Sequence, residues 1–573
     1  MRRNIPMENK QKDFSKIDAA FCLIKKHPFL LAAFLCFACT WFGYGNESFI
    51  DGFMVYGLCV VSIGLISWIL YRKVQQKMLD PKTAYIVIPA LLLFERAISE
   101  RFMQYEHKAF VILIVGLLSV LLVFLWLLCR MPEKKQEIWI LCLAAAGFIL
   151  RFAYVLETDI TVRQNDVGGM GSVEGHMGYI CYLLQNHHLP DFAPTTRWQF
   201  YHPPLHHILS AIWMRFCMSF GLEEYVPYEA LQILPLFYSC VILILSYKIM
   251  KLWNLKGKAL IIPFALLCFF PYLIVLSGAL NNDALSVCFI MGAVYNTIVW
   301  YRRQTLGNIL KIALCIGLGM MTKLSAGLIA PAVALVFLYV LIQQRKTWWC
   351  TLRQYIIFGA ICCPLGLWWG VRNYVKFGIP FNYIPTNDGM SWQDLSSIPL
   401  IRRFTDFSLQ QMKLPFAQWG NDTYLEYNPT IGLHKMAMFG EETFQGDLCL
   451  RFSKGLLWVG AVLALAFFIC FVISVFEKQN NRKEKLFLLI GYVTILGNFY
   501  LFCINYPYVC TMNFRYVIPC MLFAAYGTGI WIQNREGKPC KTTHILTHLL
   551  AAGVFLFAVF TVLTYGYVFF TKQ

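Results

Sequence analysis

Charged residues are scarce in this sequence. Asp, Glu, Lys and Arg together make up 14% of its 573 residues, whereas 58% are hydrophobic and 16% are aromatic. This balance excludes an ordinary soluble protein, in which about a quarter of the residues are charged. The sequence also lacks a Gly-rich loop of the kind that cradles phosphates, so nothing in it indicates a bound nucleotide sugar.

A secreted-type cysteine framework is not indicated either, although the chain contains 21 cysteines. Most of them lie inside apolar runs, where a cysteine acts as a small hydrophobic side chain. The basic N-terminus lacks the pattern of a cleavable signal peptide and is expected to be cytoplasmic.

Long apolar runs dominate the chain instead. Runs of about 16 to 22 residues recur along nearly its whole length, and each matches the roughly 30 Å hydrocarbon core of a bilayer. They predict an all-α polytopic membrane protein with a bundle of about 13 to 16 helices. The candidate spans are 28–44, 52–71, 84–99, 109–129, 137–156, 229–249, 258–277, 284–301, 307–321, 324–342, 350–370, 454–476, 485–505, 515–532 and 545–569.

Basic residues outnumber acidic ones by 49 to 31, which gives a net charge of +18. They gather in short loops on alternate sides of the predicted spans, for example at Arg302 and Arg303. This is the distribution of cytoplasmic loops under the positive-inside rule, so the excess is a topology signal and not a nucleic-acid surface. This distribution of basic residues places two long loops, 157–203 and 371–453, on the outer side of the membrane.

The predicted spans form two groups. Residues 1–136 read as accessory transmembrane helices with short loops, and residues 137–573 contain both outward loops and every polar cluster described below. Segment 204–220 conflicts with strict alternation, because a span here would place the lysines of 251–258 outside. It is either a re-entrant or membrane-surface helix, or a span whose following lysines break the rule.

The first outward loop contains a short amphipathic segment. Met177, Ile180, Cys181 and Leu184 recur at helical spacing, which predicts an interfacial helix of roughly 14 residues. We expect Pro190 to end it.

Asp166 is the main candidate for a catalytic residue. It lies in the sequence RQNDVGG (163–169), directly after a predicted span. A carboxylate at the outer membrane edge suits a general base, and the following glycines permit close approach of a ligand. The alternative is a solvated loop acid paired with Arg163, and Glu157 and Asp159, one turn closer to the membrane, compete with Asp166 for the role of base.

Two further polar clusters flank predicted helices. In FYHPPLHH (200–207), His202, His206 and His207 lie near a proline-fixed helix start, where they serve hydrogen bonding or contact a phosphate or sugar. Their spacing does not indicate a metal site. In ALNNDALS (279–286), Asp283 is either a ligand-binding residue or, with Asn282, a helix cap.

Three cations lie at predicted outer membrane edges, against the positive-inside trend. Lys323, Arg372 and Arg515 either snorkel to the interface or bind an anionic ligand such as a lipid phosphate. The second outward loop adds aromatic residues that suit sugar rings or the membrane interface, and two adjacent acids. These are Trp392, Trp419, Tyr424, Tyr427, Glu441 and Glu442.

The order of these features resembles the GT-C glycosyltransferases that use polyprenyl-phosphate sugars, and among them family 39, with protein O-mannosyltransferases and lipid A aminoarabinose transferases. The resemblance runs from about residue 137 to residue 520. It comprises the Asp after the first core span, the interfacial helix ending in LPD, HPPLHHILSAIW, NDALS, TKLSAG and FRYVIP.

The resemblance implies a GT-C-type bundle in which Asp166 is the base and Lys323, Arg372 and Arg515 hold the donor phosphate. Arg163, His202, His206, His207 and Asp283 are further candidates for substrate or phosphate binding. The sequence departs from the family in two places. Val167 stands where an acidic pair is common, and His202 stands where a lysine commonly precedes Pro-Pro.

We therefore expect a membrane glycosyltransferase of the bacterial plasma membrane. It would move a hexose or pentose from a polyprenyl-phosphate donor to a lipid, glycan or protein hydroxyl at the outer face, with inversion. Its partners would be that donor, the acceptor and membrane lipids, with no nucleic acid. No cofactor is assigned, and a divalent metal requirement is left open. The alternative is a transporter or flippase, which should show midplane charges and broken helices.

Overall fold

The computed structural model describes residues 107–573, except 221–224, 347, 382, 386–390, 420–425, 478–480 and 537–540. The predicted spans 28–44, 52–71 and 84–99 lie outside the described residues. The α-helices are α1 Lys108–Arg130, α2 Lys135–Glu157, α3 Gly175–Asn186, α4 Leu205–Met218, α5 Tyr225–Glu229, α6 Ile233–Leu252, α7 Gly257–Cys268, α8 Pro271–Val275, α9 Asp283–Arg302, α10 Leu306–Thr322, α11 Ala330–Gln343, α12 Trp348–Phe377, α13 Leu400–Thr405, α14 Pro429–Phe439, α15 Asp447–Phe476, α16 Arg482–Asn505, α17 Ile518–Gln533 and α18 Lys541–Thr571.

The described chain is all-α, as the apolar runs predict. Within it, nine helices are long and apolar enough to cross a membrane, and three shorter apolar helices (α7, α10 and α17) accompany them. The protein is therefore a polytopic membrane protein. Contacts divide the described chain into two units. The first comprises residues 107–108 and 115–141, and the second comprises residues 109–114 and 142–573. All the candidate site residues belong to the second unit.

The predicted span 258–277 is wrong as a single helix. The chain breaks at Phe269 and Phe270, and Pro271 begins the separate helix α8 because proline is compatible with a first helical turn. Arg151 of α2, which is fully buried, donates to the freed carbonyls of Cys268 at 2.6 Å and Leu267 at 3.2 Å. The guanidinium of Arg151 therefore satisfies the carbonyl groups at the end of the broken helix, which is a structural role.

The interfacial helix in the first outward loop exists, but Pro190 does not end it. Helix α3 stops at Asn186, and His187 adopts a left-handed conformation with φ 59°, a common way to terminate a helix. Its apolar face packs into a core formed with α4.

Segment 204–220 does not form a candidate span. Helix α4 has 14 residues, about 21 Å at 1.5 Å per residue, and is shorter than the hydrocarbon core of a bilayer. It exposes Ile212, Phe216 and the adjoining Phe220 while burying His206 and His207. This distribution suits a helix that lies against the membrane surface, one of the two predicted readings.

Candidate active site

Asp166 forms an ion pair with Arg515, 349 residues further along the chain. Arg515 Nη1 donates to Asp166 Oδ2 at 2.7 Å. The backbone of Asp166 is left-handed, with φ 62°, and its carbonyl accepts a hydrogen bond from the His176 N–H at 3.0 Å. The first turn of α3 thus fixes the loop so that the carboxylate faces Arg515. The predicted alternative, pairing with Arg163, is wrong, because Arg163 donates to Thr158 Oγ1.

A second ion pair joins Lys323 to Asp283. Lys323 follows the last residue of α10, and Asp283 is the first residue of α9. The prediction that Asn282 or Asp283 of ALNNDALS caps α9 through its side chain is wrong. Asn282 occupies the N-cap without a side-chain cap bond, and its amide donates to the Thr322 carbonyl at 3.0 Å. Asn282 thereby holds the end of α10 beside α9, which brings the lysine to the aspartate.

The Asp283–Lys323 pair and Arg515 line one small cavity, and Asp166 is joined to it through its bond to Arg515. Tyr516 separates the two cations, with the Lys323 ammonium 5.2 Å and the Arg515 guanidinium 5.1 Å from its ring centroid. Within the described part of the chain, two buried polar atoms at this cavity lack a hydrogen-bond partner, Asp283 Oδ2 and Arg515 Nε. The remaining lining residues are Ser286, Val287, Ile290, Ser325, Leu328, Ile495 and Pro519.

Burial lowers the pKa of Lys323, and the neighbouring Asp283 carboxylate opposes this shift. The site therefore holds two cations against two carboxylates, with unused donor and acceptor capacity. At this one cavity, Arg515 Nε and Asp283 Oδ2 provide a donor and an acceptor for a ligand with an anionic or hydroxyl group.

The predicted histidines do come together, and a fourth joins them. His176 of α3 stacks on His202 and His207 with ring centroids 5.5 and 5.2 Å apart. His176 Nδ1 and His207 Nε2 are 2.9 Å apart and share a hydrogen bond. His206 Nε2 bonds the Leu280 carbonyl at 3.1 Å. His176 could have been recognised from its position on the amphipathic segment of the first outward loop.

These imidazoles are neutral near pH 7. Burial lowers the pKa of His206 to about 4, and burial together with the nearby Lys323 and Arg515 charges lowers the pKa of His202 well below its ordinary value. His202 therefore offers hydrogen bonds rather than a positive charge to a phosphate. In the described chain, no group of three or more His, Cys, Asp or Glu side chains is arranged to hold a metal ion.

A second carboxylate, absent next to Asp166 in the sequence, comes from the second outward loop. Asn513 Nδ2 donates to Glu441 Oε1 at 2.5 Å, and Asn513 Oδ1 accepts from the Tyr272 hydroxyl and from the Arg515 N–H. Burial raises the pKa of Glu441 to about 7, the Arg515 charge opposes that rise, and Asp166 adds to it. Glu441, noted in the sequence only as an acid before a span, thus belongs to the Arg515 network.

Residues 202–369 match the family model of the dolichyl-phosphate-mannose-protein mannosyltransferases. This segment is similar to those enzymes. The match confirms the resemblance to the GT-C glycosyltransferases that the motif order predicts, and it supports a membrane glycosyltransferase of the mannosyltransferase type. No curated protein is significantly similar to the chain.

The mannosyltransferase-like segment contains Asp283 and Lys323 but neither Asp166 nor Arg515. Half of the ion-paired cluster therefore comes from outside the matched residues. Lys323 of the segment lies over the Tyr516 ring, and Arg515 and Tyr516 line the same cavity as Asp283 and Lys323, which connects these outer parts to the segment.

Arg372 lies in a different place from the other predicted phosphate ligands. It donates to the Pro190 carbonyl and to Asn373, and its guanidinium stacks 4.7 Å from the Trp369 ring centroid. Arg372, a residue of α12, thereby links this helix to the first outward loop. Arg163 likewise lies apart from the cavity, 5.5 Å from the ring centroid of Tyr154.

Two tryptophans of the second outward loop lie beside Glu441. The Trp419 indole N–H donates to the Glu441 carbonyl at 3.1 Å, and Trp392 packs against Trp419 with ring centroids 6.4 Å apart. Tyr427, by contrast, bonds Asp406, and Tyr424 lies outside the described residues. The tryptophan pair forms an aromatic surface beside Glu441, of a kind that suits a sugar ring.

Proposed function

We propose that the chain transfers a hexose or pentose from a polyprenyl-phosphate donor to a hydroxyl of a lipid, glycan or protein. The observation that carries this proposal is a pair of neighbouring ion pairs, Asp283 with Lys323 in the wall of one cavity, and Asp166 with Arg515, whose guanidinium lines the same cavity. It sets a carboxylate that can accept a proton next to two cations that can hold a phosphate.

The reaction would be a single displacement with inversion. Asp166 takes the proton from the acceptor hydroxyl, and the acceptor oxygen forms a bond to the anomeric carbon. The bond from that carbon to the donor phosphate oxygen breaks, and its electron pair stays on the phosphate. Lys323 and Arg515 stabilise the charge that develops there, and Arg515 Nε has a hydrogen still free to donate.

The lining of the cavity matches the chemistry of an amphipathic donor, and its volume of about 20 Å³ is the room that one small group occupies. Its polar end holds the two cations, and Val287, Ile290 and Ile495 continue it as an apolar wall. A phosphate bonded to an isoprenoid chain presents the same two chemistries in the same order. The bilayer holds the rest of the chain, so the protein needs only to position the head group and exclude water.

The orientation in the membrane follows from charge. Basic residues such as Arg302 and Arg303 lie at the opposite end of α9 from Asp283. The positive-inside rule favours the cytoplasmic side for those loops, which supports a site at the outer face and, with the five spans that the sequence predicts before the first outward loop, a cytoplasmic N-terminus.

The test supplies membranes with a labelled polyprenyl-phosphate mannose and compares the wild type with Asp166→Asn. We expect transfer to fall by about 10²- to 10⁴-fold, the contribution typical of a positioned general base. Asp159→Asn is the matched control, because Asp159 lies in the same loop and its carboxylate accepts hydrogen bonds from Thr161. Equal transfer by wild type and Asp166→Asn would remove Asp166 as base.

A further inference from the structure

A second pocket opens at the other end of α9, between α9, α11 and α16. It encloses about 250 Å³. Its walls are mostly apolar, with Leu335 and Leu486 each about half exposed. The other apolar lining residues include Ile298, Val336, Phe487 and Ile490. Because these helices are candidate membrane spans, this groove faces the hydrocarbon of the bilayer.

The rim of the groove carries an uncompensated positive charge. Lys483 lies with its ammonium 3.9 Å from the Tyr339 ring centroid and is exposed. Among the described residues it has no carboxylate partner, because the neighbouring Glu484 is taken by Arg302 and the Trp253 indole. A cation at the mouth of an apolar groove matches a molecule with an anionic head and an apolar chain.

The groove and the candidate active site lie in opposite leaflets. Helix α9 begins at Asp283 in the active site and ends at Arg302 beside the groove, and its 20 residues span about 30 Å. A donor whose phosphate is held by Lys323 cannot place that same phosphate on Lys483. The occupant is therefore a separate molecule.

We propose that this groove is a binding site for an anionic phospholipid, with one acyl chain against Leu335 and Leu486 and the phosphate on Lys483. A zwitterionic phospholipid offers the same chains but brings its own cation to Lys483, so the charge favours the anionic lipid. The proposal does not depend on glycosyl transfer.

The experiment uses the full chain in bilayer nanodiscs with phosphatidylglycerol that carries a diazirine near the end of one acyl chain. After photolysis, mass spectrometry maps the labelled residues. We expect label on the α11 and α16 walls of the groove. Lys483→Gln should lower it about fivefold, the equivalent of the roughly 1 kcal/mol that one lysine contributes near an anionic head group.

Lys311→Gln is the matched control, because Lys311 is exposed on α10 and does not line the groove. It removes the same charge and should leave the labelling unchanged. Phosphatidylcholine with the same diazirine chain should label the groove less than phosphatidylglycerol does. Equal labelling of the groove in wild type and Lys483→Gln, or equal labelling by the two lipids, would overturn the proposal.

Discussion

Helix α9 carries an ion pair at each of its ends, and the two pairs use their hydrogen-bonding atoms differently. At the basic end, Arg302 donates from Nε and Nη2 to the two oxygens of Glu484, each at 2.7 Å. The Trp253 indole adds a third bond to the same carboxylate at 2.7 Å. At the other end, Asp283 binds Lys323 through one oxygen only.

The difference separates a structural contact from a binding site. The Glu484 carboxylate has both oxygens bonded and ties α16 to α9 and to the end of α6. Asp283 Oδ2 and the nearby Arg515 Nε have no partner in the part of the chain that the structure describes. A buried polar atom without a partner destabilises the protein by about 1–3 kcal/mol, so such atoms persist where a ligand satisfies them.

Among the substitutions that test this comparison, the largest effect should follow from Arg515→Gln. This substitution removes the charge that joins Asp166 to the proposed phosphate position, and the loss of such a preorganised group costs about 10²- to 10³-fold in turnover. The measurement is transfer of labelled mannose from polyprenyl phosphate by purified protein. The thermal denaturation temperature in detergent should fall less than for Arg302→Gln, because the Asp166 side chain is 28% exposed and water can solvate its carboxylate, whereas that of Glu484 is 6% exposed.

Arg372→Gln is the control for this prediction, since Arg372 is also an outer-edge cation but contacts Pro190 and Trp369 away from the cavity. It should lower transfer less than tenfold. Similar losses in both variants would contradict the assignment of Arg515 to the cavity.

A smaller effect, on stability, should follow from Arg302→Gln. It leaves the buried Glu484 carboxylate without its cation, and we expect a loss of about 2 kcal/mol, in the range of hydrogen bonds to charged groups. The thermal denaturation temperature in detergent should fall, while turnover per folded molecule stays at the wild-type level. Arg303→Gln, one residue further and exposed, should leave both quantities unchanged. If Arg302→Gln abolished transfer without lowering stability, the distinction between the two ends of α9 would fail.

Helices α9 and α16, which the Arg302–Glu484 ion pair joins, could be predicted from the sequence with good accuracy. The predicted spans 284–301 and 485–505 differ by at most three residues at either end from α9 and α16, because the bilayer thickness fixes the length of an apolar run. Hydropathy does not predict the break at Pro271, because it is continuous across this residue. The buried Arg151 satisfies a backbone carbonyl that the break leaves without a helical partner.

The contacts within the site could be predicted only in part. Asp166 and Arg515 were each identified as polar residues at the outer membrane edge, but their pairing across 349 residues depends on how the helices pack. Periodicity carries no information about that packing, so the nearby Arg163 was the natural but wrong partner. Glu441 was missed for the same reason: its role comes from Asn513, which lies 72 residues away.

The smallest expected effect is a change of the donor KM with pH, which we attribute to Glu441 in the Arg515 network. Its pKa of about 7 means that it becomes an anion beside Arg515 just above neutral pH. The added negative charge weakens the attraction of Arg515 for a donor phosphate. We expect the donor KM of the wild type to rise a few-fold as the pH passes upward through 7, and Glu441→Gln to remove that rise while its amide oxygen still accepts from Asn513.

Stability gives an independent check with a defined sign. The unfolded chain releases the Glu441 proton near pH 4.5, and the folded protein releases it near 7. Between these values the folded state binds more protons, so the free energy of unfolding decreases as the pH rises from 4.5 to 7. Glu441→Gln should lessen that decrease. For the KM profile, Glu442→Gln is the matched control, because the cation that Glu442 faces is Arg163 rather than Arg515. A KM profile equally flattened by both substitutions would show that Glu441 does not act through Arg515.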